Sequence, residues 1–291
     1  MTSAPDRLLR RLEWQLRRRV DGRLQGAYRT VWRGAGIDFT DLRQYTPDDD
    51  VRHIDWNVTA RLDEPYVRQY TEDRELTAWM VVDRSASMRF GSGKYPVGTA
   101  LTVALARLLA QGGNRVGAIL YDNASSSVVP PRTGRNQVLR LARELSAERA
   151  GSRGAVTDLA GMLRLAASTT SQRRSLVFVV SDFIGDPGWD RPLTALSHRH
   201  EVVVLRIVDP VEFALPDVGV ILVEDAETGE QVLVDTSDPL LRKRLQAQFS
   251  DREDGISAGM RKAAVTEHRI STDVDVLESL VRLVRESRRR R

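Results

Sequence analysis

The stretch Leu76-Thr77-Ala78-Trp79-Met80-Val81-Val82-Asp83-Arg84-Ser85-Ala86-Ser87 decides the fold. Up to Val82 it is a nearly continuous apolar run, without the alternation of apolar and polar side chains that marks a strand wet on one face. Such a run predicts a strand covered on both faces, as in a parallel sheet flanked by helices. Similar runs follow around Val177–Val180 and Val202–Val204. In chain order, strand character over Leu76–Val82, Arg115–Tyr121, Leu176–Ser181 and Glu201–Val208 alternates with helical spacing. The helical segments are Val97–Ala110, Gln137–Leu145, Leu159–Ala167 and Leu193–His198. This alternation predicts an α/β, Rossmann-like, doubly wound and mostly parallel sheet over residues 76–284.

After Pro210, Val218–Val223 and Gln231–Val234 flank a turn at Glu227-Thr228-Gly229 and predict a hairpin. Ser237 or Asp238 caps a following helix with Pro239 in its first turn. Leu277, Leu280, Val281 and Val284 mark a last amphipathic helix after Asp273. Upstream, residues 24–75 are rich in Gly, Asp, Arg and aromatic side chains without helical period, which predicts a small region of short strands and turns. In residues 1–23, Leu8, Leu12, Leu16 and Val20 recur every four positions among arginines and predict a basic amphipathic helix.

The chain has 291 residues, 41% of them hydrophobic, enough for a sizeable core. It has no cysteine, which excludes disulfides, thiol catalysis and thiolate zinc sites. No apolar run approaches the roughly 20 residues that span a bilayer, and no apolar signal core opens the chain, so the expected location is cytoplasmic. The net charge of +4 belongs to the ends. Residues 1–35 carry +6 and residues 285–291 carry +4, leaving −6 for residues 36–284. A nucleic-acid groove through the body is therefore disfavoured, while the arginine-rich ends remain able to touch an anionic surface.

Asp83-Arg84-Ser85-Ala86-Ser87 puts a carboxylate and two hydroxyls in one loop at the carboxyl end of the first buried strand, where open α/β sheets bind ligands. Gly154-Ala155-Val156-Thr157-Asp158 and Ser181-Asp182 are candidates for the same end. All the donors are oxygens, which suits a small hard cation such as magnesium or manganese better than zinc or copper. Ser85, Ser87 and Thr157 are equally common as helix caps, so each loop alone would say little; the conjunction at strand-to-helix junctions carries the reading.

Asp-x-Ser-x-Ser at 83–87, with Thr157 and Asp182, resembles the metal-ion-dependent adhesion site of von Willebrand A and integrin I domains. The resemblance implies that Ser85, Ser87 and Thr157 coordinate a metal, that Asp83 and Asp182 bind it directly or through water, and that a partner's Asp or Glu fills an open position. The segment from Gly36 to Arg61, containing Gln44-Tyr45-Thr46-Pro47-Asp48-Asp49-Asp50 and Arg52-His53-Ile54-Asp55-Trp56-Asn57, is similar to the signature of domain-of-unknown-function family fifty-eight. The family usually has Pro-Gly-Asp-Asp where this chain has Pro47-Asp48-Asp49-Asp50. This second resemblance implies a partner among MoxR-type AAA+ ATPases or their clients, and a role in assembling or activating other complexes. Arg52, Asp55, Trp56 and Arg61 are then candidates for an interaction surface; the plainer reading of the segment is an Arg–Asp network that fixes the region onto the sheet domain.

Other chemistries fit less well. A phosphatase of the haloacid-dehalogenase type needs a second carboxylate where Ser85 stands. Gly91-Ser92-Gly93-Lys94 superficially resembles a phosphate loop, but no apolar strand feeds it and it reads as a flexible turn. His198 and His200 read as surface histidines, and His53 and His268 as isolated. A metal-dependent hydrolase and an adaptor acting through the basic ends stay open as alternatives to a non-catalytic, metal-bridged interaction module.

Overall fold

In the computed structural model, the structure describes residues 36–47, 49–62, 64–73, 76–89, 93–122, 125–147, 157–170, 173–213, 218–224 and 231–289. The expected helix over 1–23, the loop over 154–156 and the hairpin turn at 227–229 lie outside these residues. The described residues fall into two compact units, 36–76 and 77–289.

In the smaller unit, strand β1 (Gly36–Gln44) pairs antiparallel with β2 (Tyr66–Asp73), with a bulge between Phe39 and Asp41. The connection holds a 3-10 turn (Val51–His53) and a short helix α1 (Trp56–Leu62) that the apolar spacing does not predict. Local capping explains it. The Asp55 carboxylate accepts from the backbone N–H of Asn57 at 3.0 Å and of Val58 at 3.3 Å, and none of the helix's residues is buried.

The larger unit is built on six strands: β3 (Thr77–Asp83), β4 (Arg115–Asp122), β5 (Ser125–Arg132), β6 (Leu176–Ser181), β7 (Glu201–Val208) and, late in the chain, β10 (Thr266–Ser271). Their order in the sheet is β10-β7-β6-β3-β4-β5, and all neighbours are parallel except β4 and β5. Numbered by appearance, that is the 3-2-1-4-5-6 order of a doubly wound sheet. With its single antiparallel edge, the fold is of von Willebrand A type. Strand β5, absent from the sequence reading, contains Pro130 and Pro131, which an edge strand tolerates because it has one unpaired side. Strand β10 was likewise missed, since Thr266-Glu267-His268-Arg269 has no apolar run.

Helices cover both faces. On one, Trp79, Val81, Val177, Val179, Val202 and Val204 pack with α5 (Leu159–Thr169), α6 (Asp190–Arg199) and α7 (Pro239–Lys262). The alternate residues Ala78, Met80, Val82, Phe178, Val180 and Leu205 are buried as well. They point the other way, toward α3 (Lys94–Gln111), which packs with α4 (Arg135–Ser146) and α8 (Val276–Arg289). Burial on both faces is the physical reason for the continuous apolar runs; each fully buried Val, Leu or Phe contributes about 1.5–3 kcal/mol. A short helix α2 (Ala86–Arg89) links β3 to α3, and an antiparallel hairpin β8 (Val220–Glu224) and β9 (Gln231–Asp235) precedes α7. Asp238, with Pro239 behind it, caps α7 by accepting from Leu240 N–H at 2.8 Å. No helix among the described residues is long and apolar enough to cross a membrane.

His200 corrects the expectation of two surface histidines. His198 is exposed, but His200 is 3% exposed, with Nε2 3.1 Å from Thr170 Oγ1 and Nδ1 accepting from Ser175 N–H. Burial, with Arg199 and Arg174 nearby, lowers its pKa. For a base held neutral in the fold, the stabilisation is complete above the unfolded value of about 6.5 and is lost as pH falls through the folded pKa. Urea titrations of the native protein are therefore expected to show stability declining below about pH 6.5, and His200→Gln is expected to flatten that decline. An unchanged slope in the variant would assign the decline to other groups.

Candidate functional site

Strands β3 and β6 are the neighbours at which the strand order reverses, pairing Val82 with Val180. Connections leave such a point in opposite directions and open a crevice beyond the carboxyl ends of the strands. Asp83 ends β3, Ser181 ends β6, and Asp182 follows. The backbone N–H of Arg84 donates to the Tyr121 carbonyl at 2.8 Å, and its guanidinium donates to the carbonyls of Glu144 and Ala147, clamping the loop over the end of α4. The chain then turns into α2, which carries Ser87.

Four of the five candidate residues meet directly. Asp83 Oδ1 accepts from Ser85 N–H at 2.9 Å, and Asp83 Oδ2 accepts from the Ser181 hydroxyl at 2.6 Å. The hydroxyls of Ser85 and Ser87 lie 3.0 Å apart, and Ser87 Oγ donates to Asp182 Oδ1 at 3.3 Å. The fifth, Thr157, sits beside the segment after Asp182: its carbonyl accepts from Asp186 N–H at 3.3 Å, and it packs on Gly185. All five are buried, with exposures between 0% for Asp83 and 6% for Ser85.

The loop after β6 holds its shape through a strained residue. Phe183 has φ 58°, a conformation that costs a non-glycine residue of order 1 kcal/mol or more. Its N–H donates to Ser181 Oγ at 2.9 Å, and its ring packs edge-on against Trp189 at 5.0 Å. The reversal there lets Ile184 N–H donate to Asp182 Oδ1 at 3.0 Å, which aims the carboxylate back at Ser87.

Burial, and then the nearby Asp182, push the Asp83 pKa up to about 6 against the hydrogen bonds from Ser181 and Ser85.

Lys94 is the residue the sequence reading placed wrongly. It is the first residue of α3, not part of a flexible turn, and it is fully buried. Its ammonium donates to Asp182 Oδ2 at 2.7 Å and pairs with Glu212. Burial alone would lower its pKa, but the two carboxylates outweigh it and raise it. Glu212 closes a 3-10 turn (Pro210–Glu212) in which Asp209 accepts from Val211 N–H and Glu212 reaches back to Asp209 N–H. Asp209-Pro210-Val211-Glu212 carries a capping-box spacing; nothing in the spacing marks Lys94 as buried. Beside Ser87 and Lys94 opens a cavity of about 740 Å³, lined by Phe183, Ile184, Trp189, Glu212 and the bare side of α7 at Gly255 and Gly259.

The residues assigned to an interaction surface fall in the smaller unit. Arg52, Trp56 and Arg61 are exposed, Trp56 at 69%, while Asp55 is buried as the cap of α1. Within this unit an ion pair joins Arg43 to Asp49, whose carboxylate also accepts from Thr46. Those contacts hold Asp49 well below the usual carboxylate range.

The family described as "Protein of unknown function DUF58" matches residues 41–254. The chain belongs to this family. An uncharacterised protein of Mycobacterium tuberculosis (strain H37Rv) is 37% identical over 287 residues, covering 97% of this chain and 89% of its own length. One of Mycobacterium avium is 32% identical over 161 residues, covering 55% of this chain and 94% of its own. Among solved structures, the conserved hypothetical protein BatB from Bacteroides thetaiotaomicron aligns with TM-score 0.45 at 11% identity, over 74% of this chain and 99% of that one. The SpRpn10 VWA domain aligns with TM-score 0.40 at 12% identity, over 72% of this chain and 94% of that one. At these scores the fold assignment of this DUF58 chain rests on its own strand order.

The donors gathered beyond β3 and β6 are all oxygens. Among the described residues no three His, Asp or Glu side chains are grouped to hold a metal. A cation here would be held by hydroxyls, one or two carboxylates and water, a combination that suits magnesium and not a soft metal.

Proposed function

We propose that the larger unit is a non-catalytic protein-interaction module that binds a carboxylate of a partner protein through a magnesium or manganese ion. The observation that supports this is the convergence of Asp83, Ser85, Ser87 and Asp182 beyond the ends of β3 and β6, with Ser87 lining the cavity. Ser85, Ser87 and Thr157 would hold the ion directly, and Asp83 and Asp182 would hold it directly or through water. When bound, the ion supplies a positive charge that an Asp or Glu side chain of the partner can reach. The remaining work belongs to the chain itself: Ser181 and the Ser85 N–H orient Asp83, while Ile184 N–H orients Asp182. The partner we propose is a MoxR-type AAA+ ATPase or one of its clients, with Arg52, Trp56 and Arg61 as separate, metal-independent contacts.

The test is stability against metal. Magnesium or manganese at ten times its Kd is expected to stabilise the native protein by about 1.4 kcal/mol by mass action, and Asp83→Ala to abolish that gain. A melting temperature unmoved by millimolar metal would count against the site. For the partner, titration of the candidate ATPase with and without chelator is expected to show at least tenfold weaker binding without metal; equal affinity would reject a metal-bridged contact.

A further inference from the structure

We propose that Lys94 is a resident counter-cation of this site: its ammonium competes with the divalent ion for Asp182 and so sets how weakly the metal is held. The inference rests on the metal reading above and adds its regulation.

Three observations support it. The first is cost. A fully buried ammonium is unfavourable unless paired, and Lys94 lies at the start of an 18-residue helix, where the macrodipole disfavours a cation. Gly93, before it, offers no capping side chain, and the helix has no acid in its first turn. A positive charge held at two unfavourable addresses at once is held there by what it faces, which is Asp182 and Glu212.

The second is position. Asp182 divides its oxygens: Oδ1 accepts from Ser87 Oγ and Ile184 N–H, and Oδ2 accepts from Lys94 Nζ. The ammonium is thus one carboxylate away from the paired hydroxyls of Ser85 and Ser87. An ion of charge two that drew on Asp182 would stand within a few ångströms of Lys94, in surroundings too buried for water to screen the repulsion. Either the ion reaches Asp182 weakly, or the Lys94–Asp182 pair opens.

The third is an alternative partner. Glu212 already pairs with the ammonium and sits on a 3-10 turn beside the cavity, so Lys94 can leave Asp182 without losing every counter-charge.

A purely structural ion pair would tie α3 to β6 and to the 210–212 turn and have no bearing on metal. The two roles separate when the charge is removed and the stem kept. Manganese binding to the full chain, followed by the electron paramagnetic resonance signal of free Mn²⁺, would compare the native protein, Lys94→Met and the double variant Lys94→Met with Glu212→Gln. The double variant removes one cation and one anion together, which keeps the experiment usable if the single variant does not fold. It also prevents Asp182 and Glu212 from forming a new carboxylate site.

Manganese is expected to bind the variants at least tenfold more tightly than the native chain, and adding Asp83→Ala to the double variant should remove the binding. Native binding with no tightening in the folded variants overturns the role of Lys94 and leaves the metal site standing. No binding in any form overturns both. Tightening that survives Asp83→Ala places the ion elsewhere and overturns the inference as well.

Discussion

Replacement of Arg206 by methionine is expected to lower the free energy of unfolding by about 3 kcal/mol or more. Arg206 is 2% exposed on β7, and its guanidinium serves three elements at once. Nε donates to the Asp182 carbonyl at 3.3 Å, one terminal nitrogen reaches Glu267 of β10 at 3.2 Å, and the other pairs with Glu253 of α7. Methionine fills much of the same volume but leaves both glutamates short of their buried cation and the Asp182 carbonyl without this donor. Arg269, half exposed, contacts both glutamates and limits the loss without replacing the buried partner. Urea denaturation decides it. Adding Glu253→Gln and Glu267→Gln to Arg206→Met should recover part of the lost stability, because neutral side chains cost less to bury than unpaired carboxylates. A loss below 1 kcal/mol, the range of an exposed ion pair, would show that the guanidinium is solvated.

Gly185→Ala is expected to cost about 2–3 kcal/mol and to weaken the site. A Cβ built at Gly185 lies 2.5 Å from the Thr157 carbonyl oxygen and 3.1 Å from Thr157 Cβ. The nearest obstacle is backbone, so rotation of a side chain cannot relieve it. Either residues 183–186 retreat and take the orientation of Asp182 with them, or Thr157 moves away from the site. A paired measurement separates this from general destabilisation. Gly255→Ala, in a position with nothing within 4 Å of the added Cβ, should leave stability unchanged or raise it. If manganese binds Gly185→Ala and the native protein equally well, Thr157 and the Asp182 loop do not act together.

The site was partly readable before the structure because its donors follow strand ends. Asp83 comes straight after an apolar run, and Asp182 follows another with Ser181 between; a strand buried on both faces has to end near the first charged residue, which leaves that residue at the rim of the sheet. Ser85 and Ser87 are carried by the same turn. The burial of Lys94 and Arg206 was not readable. A lysine at a helix start or an arginine in a strand is ordinarily solvated, and its burial here depends on carboxylates 88 and 118 residues away for Lys94, and 47 and 61 residues away for Arg206.

The same distinction runs through the fold. Local chemistry was enough for the apolar strands β3, β6 and β7, for the amphipathic helices, and for the Asp238 cap with Pro239 behind it, because a few neighbouring residues carry the whole preference. Strand β5, with its two prolines, and strand β10, with its polar composition, take their conformation from the neighbours they pair with. Burial of Lys94 and His200 likewise became visible only in three dimensions. A charge or an imidazole enters a core when distant partners supply its hydrogen bonds, and the sequence around it carries no mark of those partners.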